Sequence, residues 1–336
     1  MTIETCAYAR AGLLGNPSDG YFGKAISISV RNFAARVRIT ESALLRVLPA
    51  RQDRNEFDSM ADLVARTELH GYDGGERLLK AAIKIFHDYC LSNGIELARK
   101  NFTMEYDSSI PRQIGLAGSS AIVTAAMRGL MQFYGVTIPL PLLPTLILNA
   151  ELQELGIHAG LQDRVIQVYE GCVYMDFDQT FVQKHGHGAY EPLSPDLLPA
   201  LYIAYNPQLG KISGRLLSDI RLKYDRGDAH VIGTLNRIAS LAERGKTALR
   251  QGDFDLLHGL MNENFDRRSE IMPVSEPNKE LVRTARACGA SAKFAGSGGS
   301  IIGMYPSEES LHRLKIAMKK CGADVIIPQV KPGEPD

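Results

Sequence analysis

The 336-residue sequence holds several informative absences. It has no excess of charge of either sign: Lys plus Arg and Asp plus Glu both number 38. Nucleic-acid and membrane-surface binders need a broad basic excess, so this balance excludes them and leaves room only for a local pocket for a small anion. No apolar run reaches the ~18 residues of a membrane span. The start, MTIETCAYARAG, lacks the apolar stretch of a signal peptide. Five cysteines (Cys6, Cys90, Cys172, Cys288, Cys321) are scattered with no CxxC pair, which argues against a disulfide framework or a zinc site. The expectation is a cytoplasmic protein with free thiols. GxxxxGK[ST] occurs nowhere, so a P-loop is excluded, and GLAGSS lacks the GxGxxG spacing of a dinucleotide fingerprint.

What is present is an ordinary globular balance, 45% hydrophobic and 23% charged, long enough for two domains. ARAGLLG and AISISVRNFAARVRI read as strands. GGERLLKAAIKIFHDYCLSNG repeats apolar residues every three or four positions and predicts a helix. NFTMEYDSSIP alternates like a strand, and a helix then runs to about Tyr134, with Gly135 as its stop. TLILNAELQELG reads as a helix, and GLQDRVIQVYEGCVYMDF as a helix start followed by a strand. KHGHGAYEPLSPDLLP, 184–199, reads as a connection between halves, and LYIAYNP as the next strand. Two amphipathic helices follow, around Ile232–Leu249 and Phe254–Phe265. Helices at 280–288 and 308–320 and a final strand ADVIIPQV complete the chain. Helices and strands mix without regular alternation, which predicts an α+β fold with domains at 1–190 and 191–336.

Three glycine-rich stretches carry the chemistry. In PRQIGLAGSSAIVTAA, Gly115, Gly118, Ser119 and Ser120 stand ahead of a helix. Glycines let backbone N–H groups approach a ligand, and the helix start adds unpaired donors and partial positive charge, which suits phosphate. A serine-capped helix after a turn explains the same residues, and this stretch alone leaves both open. ARAGLLGNPSDGYFGK places Arg10 on a strand feeding a loop with Asn16 and Asp19; an Asx-capped turn is the plain alternative. FAGSGGSIIGMY has Gly296, Ser297, Gly298 and Gly299 ahead of an apolar strand, the composition of a close backbone or ligand approach, or of a flexible hairpin. A fourth segment is acidic: Glu151 and Asp163 lie twelve residues apart, which a fold could bring together at a metal–phosphate site, although a solvated face explains most such pairs.

In this order the segments resemble the GHMP kinase superfamily. Its pattern P-x-x-x-G-L-x-x-S-S-A is met by Pro111, Gly115, Leu116, Ser119, Ser120 and Ala121, with Ala117 and Gly118 between; ARAGLLGNPSD and KFAGSGGS match the other two motifs. LLGNPSDGYFGK, GYDGGERLLKA, LGIHAGLQDRVIQVYEG and MNENFDRR further resemble the glucuronokinase branch, whose members phosphorylate D-glucuronate at its anomeric carbon. The resemblance implies a lobe like ribosomal protein S5 domain 2, a ferredoxin-like second lobe, and ATP and Mg2+ as cofactors. It places Asp163 as catalytic base, Arg10 beside the transferred phosphate, and Ser120 and Glu151 on Mg2+. Residues 111–121 would hold ATP, and Asn16, Asp19, Gly296, Ser297 and Gly298 would line the acceptor side. Asn16-Pro17 stands where galactokinases have Glu-His, a departure that fits a different sugar. A sugar carboxylate needs a cation; Arg164, Arg112, Arg267 and Arg268 are the candidates. Sugar acid and ATP are the expected partners, the protein being a monomer or homodimer. The rivals are a galactokinase-like or heptose-kinase-like enzyme, and a non-catalytic sugar sensor, which retention of Arg10, Ser120, Glu151 and Asp163 disfavours.

Overall fold

The computed structural model describes residues 1–50, 53, 74–157, 159–209 and 214–333, with backbone only over 214–218. Residues 71–73 and His158, which belong to two of the stretches quoted above, lie outside the described residues.

Strand β1 (Thr2–Leu14) runs antiparallel to the long β2 (Lys24–Ser42), with Ala11 opposite Ile28 and Thr5 opposite Val37. The outer half of β1 alternates exposed and buried residues, and Ala9–Leu14 are all buried. That change reflects cover on both faces, where the strand carries small or apolar side chains except for Arg10, which is buried. On its other side β2 pairs with β4 (Asn101–Ser108) along its second half, and with β5 (Cys172–Asp176) along its first. Short β3 (Arg46–Val47) and β6 (Ala189–Leu193) complete the sheet, in the order β3-β4-β2-β5-β6 with β1 beside β2.

Helices α1 (Gly75–Ser92), α2 (Gly118–Tyr134), α3 (Leu143–Leu152) and α4 (Gln162–Tyr169) share one core with this sheet. α2 ends as its sequence predicts, with Gly135 left-handed at φ 67.

The second sheet has the order β10-β7-β9-β8, built from β7 (Leu201–Tyr205), β8 (Lys293–Phe294), β9 (Ser300–Met304) and β10 (Asp324–Ile326). Numbered along the chain this is 4-1-3-2, the split β-α-β arrangement of ferredoxin-like folds. Strand β7 serves two cores by simple alternation. Leu201 and Ile203 join the core of the first sheet, while Tyr202 and Ala204 face a second core with Phe265, Leu281 and Leu314. The helices of this half, after α5 (Gln179–His185), are α6 (Gly214–Asp225), α7 (Ala229–Gln251), α8 (Phe254–Ile271), α9 (Glu276–Ala287) and α10 (Glu308–Lys320). Asp228 and Asp253 cap α7 and α8 through their side chains.

Two expectations are corrected. Residue 190 falls inside β6. The stretch 184–199 is therefore more than a connection. β6 is an edge strand, pairing only with β5, and an edge tolerates Pro192, the residue that argues against a strand in the sequence. Helices α5 and α6 are additional to those expected, and α9 starts four residues before 280. Among the described residues no helix is long and apolar enough to cross a membrane.

Candidate active site

The glycine motifs at 115 and 296–299, far apart in sequence, meet backbone to backbone. Gly115 is left-handed at φ 74, and a Cβ on it would lie 2.7 Å from the Gly298 carbonyl oxygen. A Cβ on Gly296 would overlap the Gly115 carbonyl. Ser300 Oγ fastens the contact by donating to the Ile114 carbonyl at 2.6 Å. The glycines are needed because a side chain on either would separate the two loops.

The turn into α2 is strained. Ala117, its N-cap, is left-handed at φ 61, ψ 46, a region that costs a residue with a Cβ of order 1 kcal/mol. It is held there through its carbonyl, which accepts from Gln167 Nε2 at 2.9 Å and Ser120 Oγ at 3.2 Å. No side chain caps the helix, so the first-turn amides of Gly118, Ser119 and Ser120 keep their donors and the partial positive charge of the helix start. This corrects the serine-cap alternative. Ser119 Oγ donates to Glu151 Oε1 at 2.7 Å, while the buried Ser120 hydroxyl turns back onto Ala117.

Three carboxylates converge from separate elements. Asp163, in the first turn of α4, is gripped by Arg10 of β1 in a bidentate pair, Nε to Oδ1 at 2.6 Å and Nη2 to Oδ2 at 2.8 Å. The remaining nitrogen of Arg10, Nη1, donates to the carbonyls of Gly115 and Ala295. One buried arginine thus ties the carboxylate to both glycine loops, while Asp163 itself remains 17% exposed. Glu151, fully buried on α3, is paired through Oε2 with Nε and Nη2 of Arg164. Asp19, in the 3-10 turn Ser18–Tyr21, accepts from Gln162 Nε2 at 3.1 Å and the Gln162 amide at 3.4 Å.

Burial, reinforced by the charge of Asp163, raises Asp19 to about 6. The folded chain therefore keeps this proton over a window in which the unfolded chain, starting at 3.8, has released it. Stability from this group is present below that window and declines as pH rises through it, by on the order of 3 kcal/mol. Asp19→Asn has no such titration. Denaturant unfolding at pH 4 and pH 7.5 should find the variant gaining on the wild type at the higher pH; a pH-independent gap would contradict the assignment.

Behind Asp19, Lys293 is buried, and burial together with the charges of Arg268 and Arg10 pulls its ammonium well below the usual lysine range. Its Nζ donates to the Gly12 carbonyl at 2.6 Å, the Phe294 carbonyl at 2.8 Å and Asn16 Oδ1. Asn264 Oδ1 accepts from the Gly15 amide at 2.7 Å, and its Nδ2 donates to the Asn16 carbonyl at 3.0 Å. These contacts knit the Asn16–Asp19 loop to the second half of the chain.

Comparison with known proteins identifies the family. Residues 77–171 match the family profile for the GHMP kinases N terminal domain, and residues 246–324 the profile for GHMP kinases C terminal. The chain is 44% identical to "Glucuronokinase 1" of Arabidopsis thaliana, the match covering 95% of this chain and 89% of that one. It is 46% identical to "Probable glucuronokinase 2" of the same plant, covering 95% and 88%. The chain belongs to the GHMP kinases. The solved Lactococcus lactis galactokinase, crystallised with galactose, shares the fold at a TM-score of 0.75 and 16% identity, covering 99% of this chain and 94% of that one. This GHMP kinase is accordingly an ATP-dependent phosphotransferase with a two-domain fold.

The structure brings together Arg10, Gly115, Ser119, Glu151, Asp163 and Gly296. It places Leu116 and Ala121 in the core, leaves Pro111 half-buried on the approach to the turn, and sets Ser297 and Gly298 against Gly115. Two expected acceptor ligands are otherwise employed. Arg164, 2% exposed, is the counter-ion of Glu151, and Asn16 spends its side chain on Lys293 and Phe294. Arg112 pairs with Asp53, and Arg267 with Glu263 and Glu270 on its own helix. The residues the sequence did not single out are Gln162, Gln167, Asn264 and Lys293. All four lie inside stretches that carry the resemblance, so their positions were visible and only their roles were hidden.

Proposed function

We propose that this GHMP kinase transfers the γ-phosphoryl group of ATP to the anomeric hydroxyl of D-glucuronate, giving glucuronate 1-phosphate and ADP. The observation that carries the reading is the Arg10–Asp163 pair, seated where the uncapped start of α2 meets both glycine loops. The relatives named as glucuronokinases supply the acceptor.

Phosphoryl transfer passes through a loose transition state, so positioning and charge neutralisation dominate. The amides of Gly118–Ser120 hold phosphate oxygens at the helix start. Asp163, oriented through both its oxygens, accepts the proton of the acceptor hydroxyl as its oxygen attacks the γ-phosphorus. Arg10 fixes the angle between that carboxylate and the phosphate turn. Asp19 and the Asn16–Asp19 loop face the acceptor side.

The donor set fits Mg2+: Glu151 Oε1 and Ser119 Oγ, 2.7 Å apart, are hard oxygen ligands, and the ion ordinarily completes its shell with water and phosphate oxygens. Glu151 with a hydroxyl of the Ser119–Ser120 pair would hold it. When bound, the ion neutralises charge on the β- and γ-phosphates.

The test is an ADP-release assay in which only the acceptor varies: glucuronate, galacturonate, glucose, galactose and mevalonate. Glucuronate should give the highest kcat/KM; a clear preference for galactose or mevalonate would sink the reading.

A further inference from the structure

A kinase for a sugar acid must neutralise a carboxylate that a neutral hexose lacks, and four buried cations surround this site: Arg10, Arg164, Lys293 and Arg268. Three of them are already committed. Arg10 is bidentate on Asp163, Arg164 is bidentate on Glu151, and Lys293 spends three hydrogen bonds on Gly12, Asn16 and Phe294.

Arg268 differs. It projects from α8 and is 3% exposed, yet among the described residues its one hydrogen bond runs from Nη1 to the Gly296 carbonyl at 2.7 Å. Its Nε is buried with no partner, and no carboxylate among the described residues pairs with it. Its guanidinium carbon lies 5.1 Å from the centre of the Phe294 ring, which steadies the planar group without offsetting its charge fully. Burial lowers it from the usual arginine value to about 10, with Arg10 adding to the effect and Asp19 opposing it. Asp19 lies within electrostatic reach but is hydrogen-bonded to Gln162. Asp163 is held by Arg10, Glu151 by Arg164 and Asp19 by Gln162, so Arg268 is buried without a carboxylate in contact among the described residues. A buried charge with unmet donors is costly unless a ligand completes it, and such groups mark functional sites.

Position supports an acceptor ligand. Arg268 holds the Gly296 carbonyl, and a Cβ on Gly296 would come within 2.7 Å of Arg10 Nη1, so Arg268 and the Arg10–Asp163 pair flank one residue. In a hexuronate the anomeric carbon and the carbon bearing the acid flank the ring oxygen, so one acceptor presents its reacting hydroxyl and its carboxylate along the same edge of the ring. We propose that Arg268 receives the carboxylate of the acceptor and is the residue that makes this kinase prefer sugar acids to neutral sugars. This inference rests on the acceptor reading above, and the shared chemistry, an oxyanion on a buried guanidinium, leaves the γ-phosphate of ATP as the alternative source.

The experiment compares full-length wild type, Arg268→Gln and Arg268→Lys. It measures kcat/KM for glucuronate, Kd for glucuronate and its neutral amide in the presence of a non-hydrolysable ATP analogue, and KM for ATP. Arg268→Gln should lower kcat/KM for glucuronate about 100-fold, the scale of losing a charge-assisted contact to a buried carboxylate. It should weaken the amide several times less and leave KM for ATP within about two-fold. Arg268→Lys, which keeps the charge and most of the bulk, should lose less, and only with the acid; it also covers a glutamine variant that fails to fold. Equal losses with acid and amide, or unchanged values, would overturn the assignment in favour of a structural arginine. A raised KM for ATP with the acid-over-amide ratio intact would overturn it in favour of a phosphate partner. Failure of the acceptor reading shows separately, as wild-type enzyme that neither binds nor phosphorylates glucuronate.

Discussion

Asp163→Asn is expected to lower turnover by about three orders of magnitude while the protein still folds, the range expected for a positioned general base. Asparagine keeps the shape of the side chain and one acceptor oxygen, so the Arg10 Nη1 contacts to Gly115 and Ala295 have no reason to break. What is lost is the second oxygen of a bidentate grip and the ability to accept a proton. KM for ATP should move little, because Asp163 lies beside the phosphate turn without forming it. Stopped-flow measurement of the chemical step, with circular dichroism as the folding control, separates the possibilities. Near-normal turnover in a folded variant would remove Asp163 as the base.

Glu151→Gln should produce the second large effect, on stability and turnover together. Glu151 is 0% exposed and Arg164 2%. Removing Glu151 leaves Arg164 with the 3.4 Å contact to Asp163 Oδ2 as its remaining ion pair among the described residues, and breaking such a buried pair costs roughly 3 kcal/mol. Glu151→Gln/Arg164→Met removes both charges, and apolar replacement of a buried pair is often neutral or better. The double variant should regain most of the lost stability in denaturant unfolding and none of the lost turnover, because the proposed Mg2+ ligand is still missing. Recovery of turnover with stability would confine Glu151 to a structural role.

These effects explain which parts of the molecule were legible in its sequence. Asp163 and Arg10 were singled out by the family resemblance of the stretches that hold them, and the fold unites them by running β1 past the start of α4. The glycines at 115 and 296 were legible as close approaches, although what approaches Gly115 is the other glycine loop. Side-chain partnerships were not legible. Nothing in the spacing says that Ser119 rather than Ser120 meets Glu151; that depends on Ala117 being left-handed, which rotates the start of α2 relative to the turn. Four arginines looked equivalent as carboxylate partners, and only burial and hydrogen bonding distinguish Arg164, committed to Glu151, from Arg268, committed to one carbonyl. β6 stayed hidden for a local reason, a proline in an edge strand behind a glycine–histidine run.

The central claim is that Asp163 faces the anomeric hydroxyl of a sugar acid across the phosphate turn. Phosphorus NMR of the product formed from ATP and glucuronate tests it most directly. The account predicts a single sugar phosphate whose phosphorus couples to the anomeric proton; a phosphate on any other hydroxyl, or ADP formed without a sugar phosphate, would contradict it.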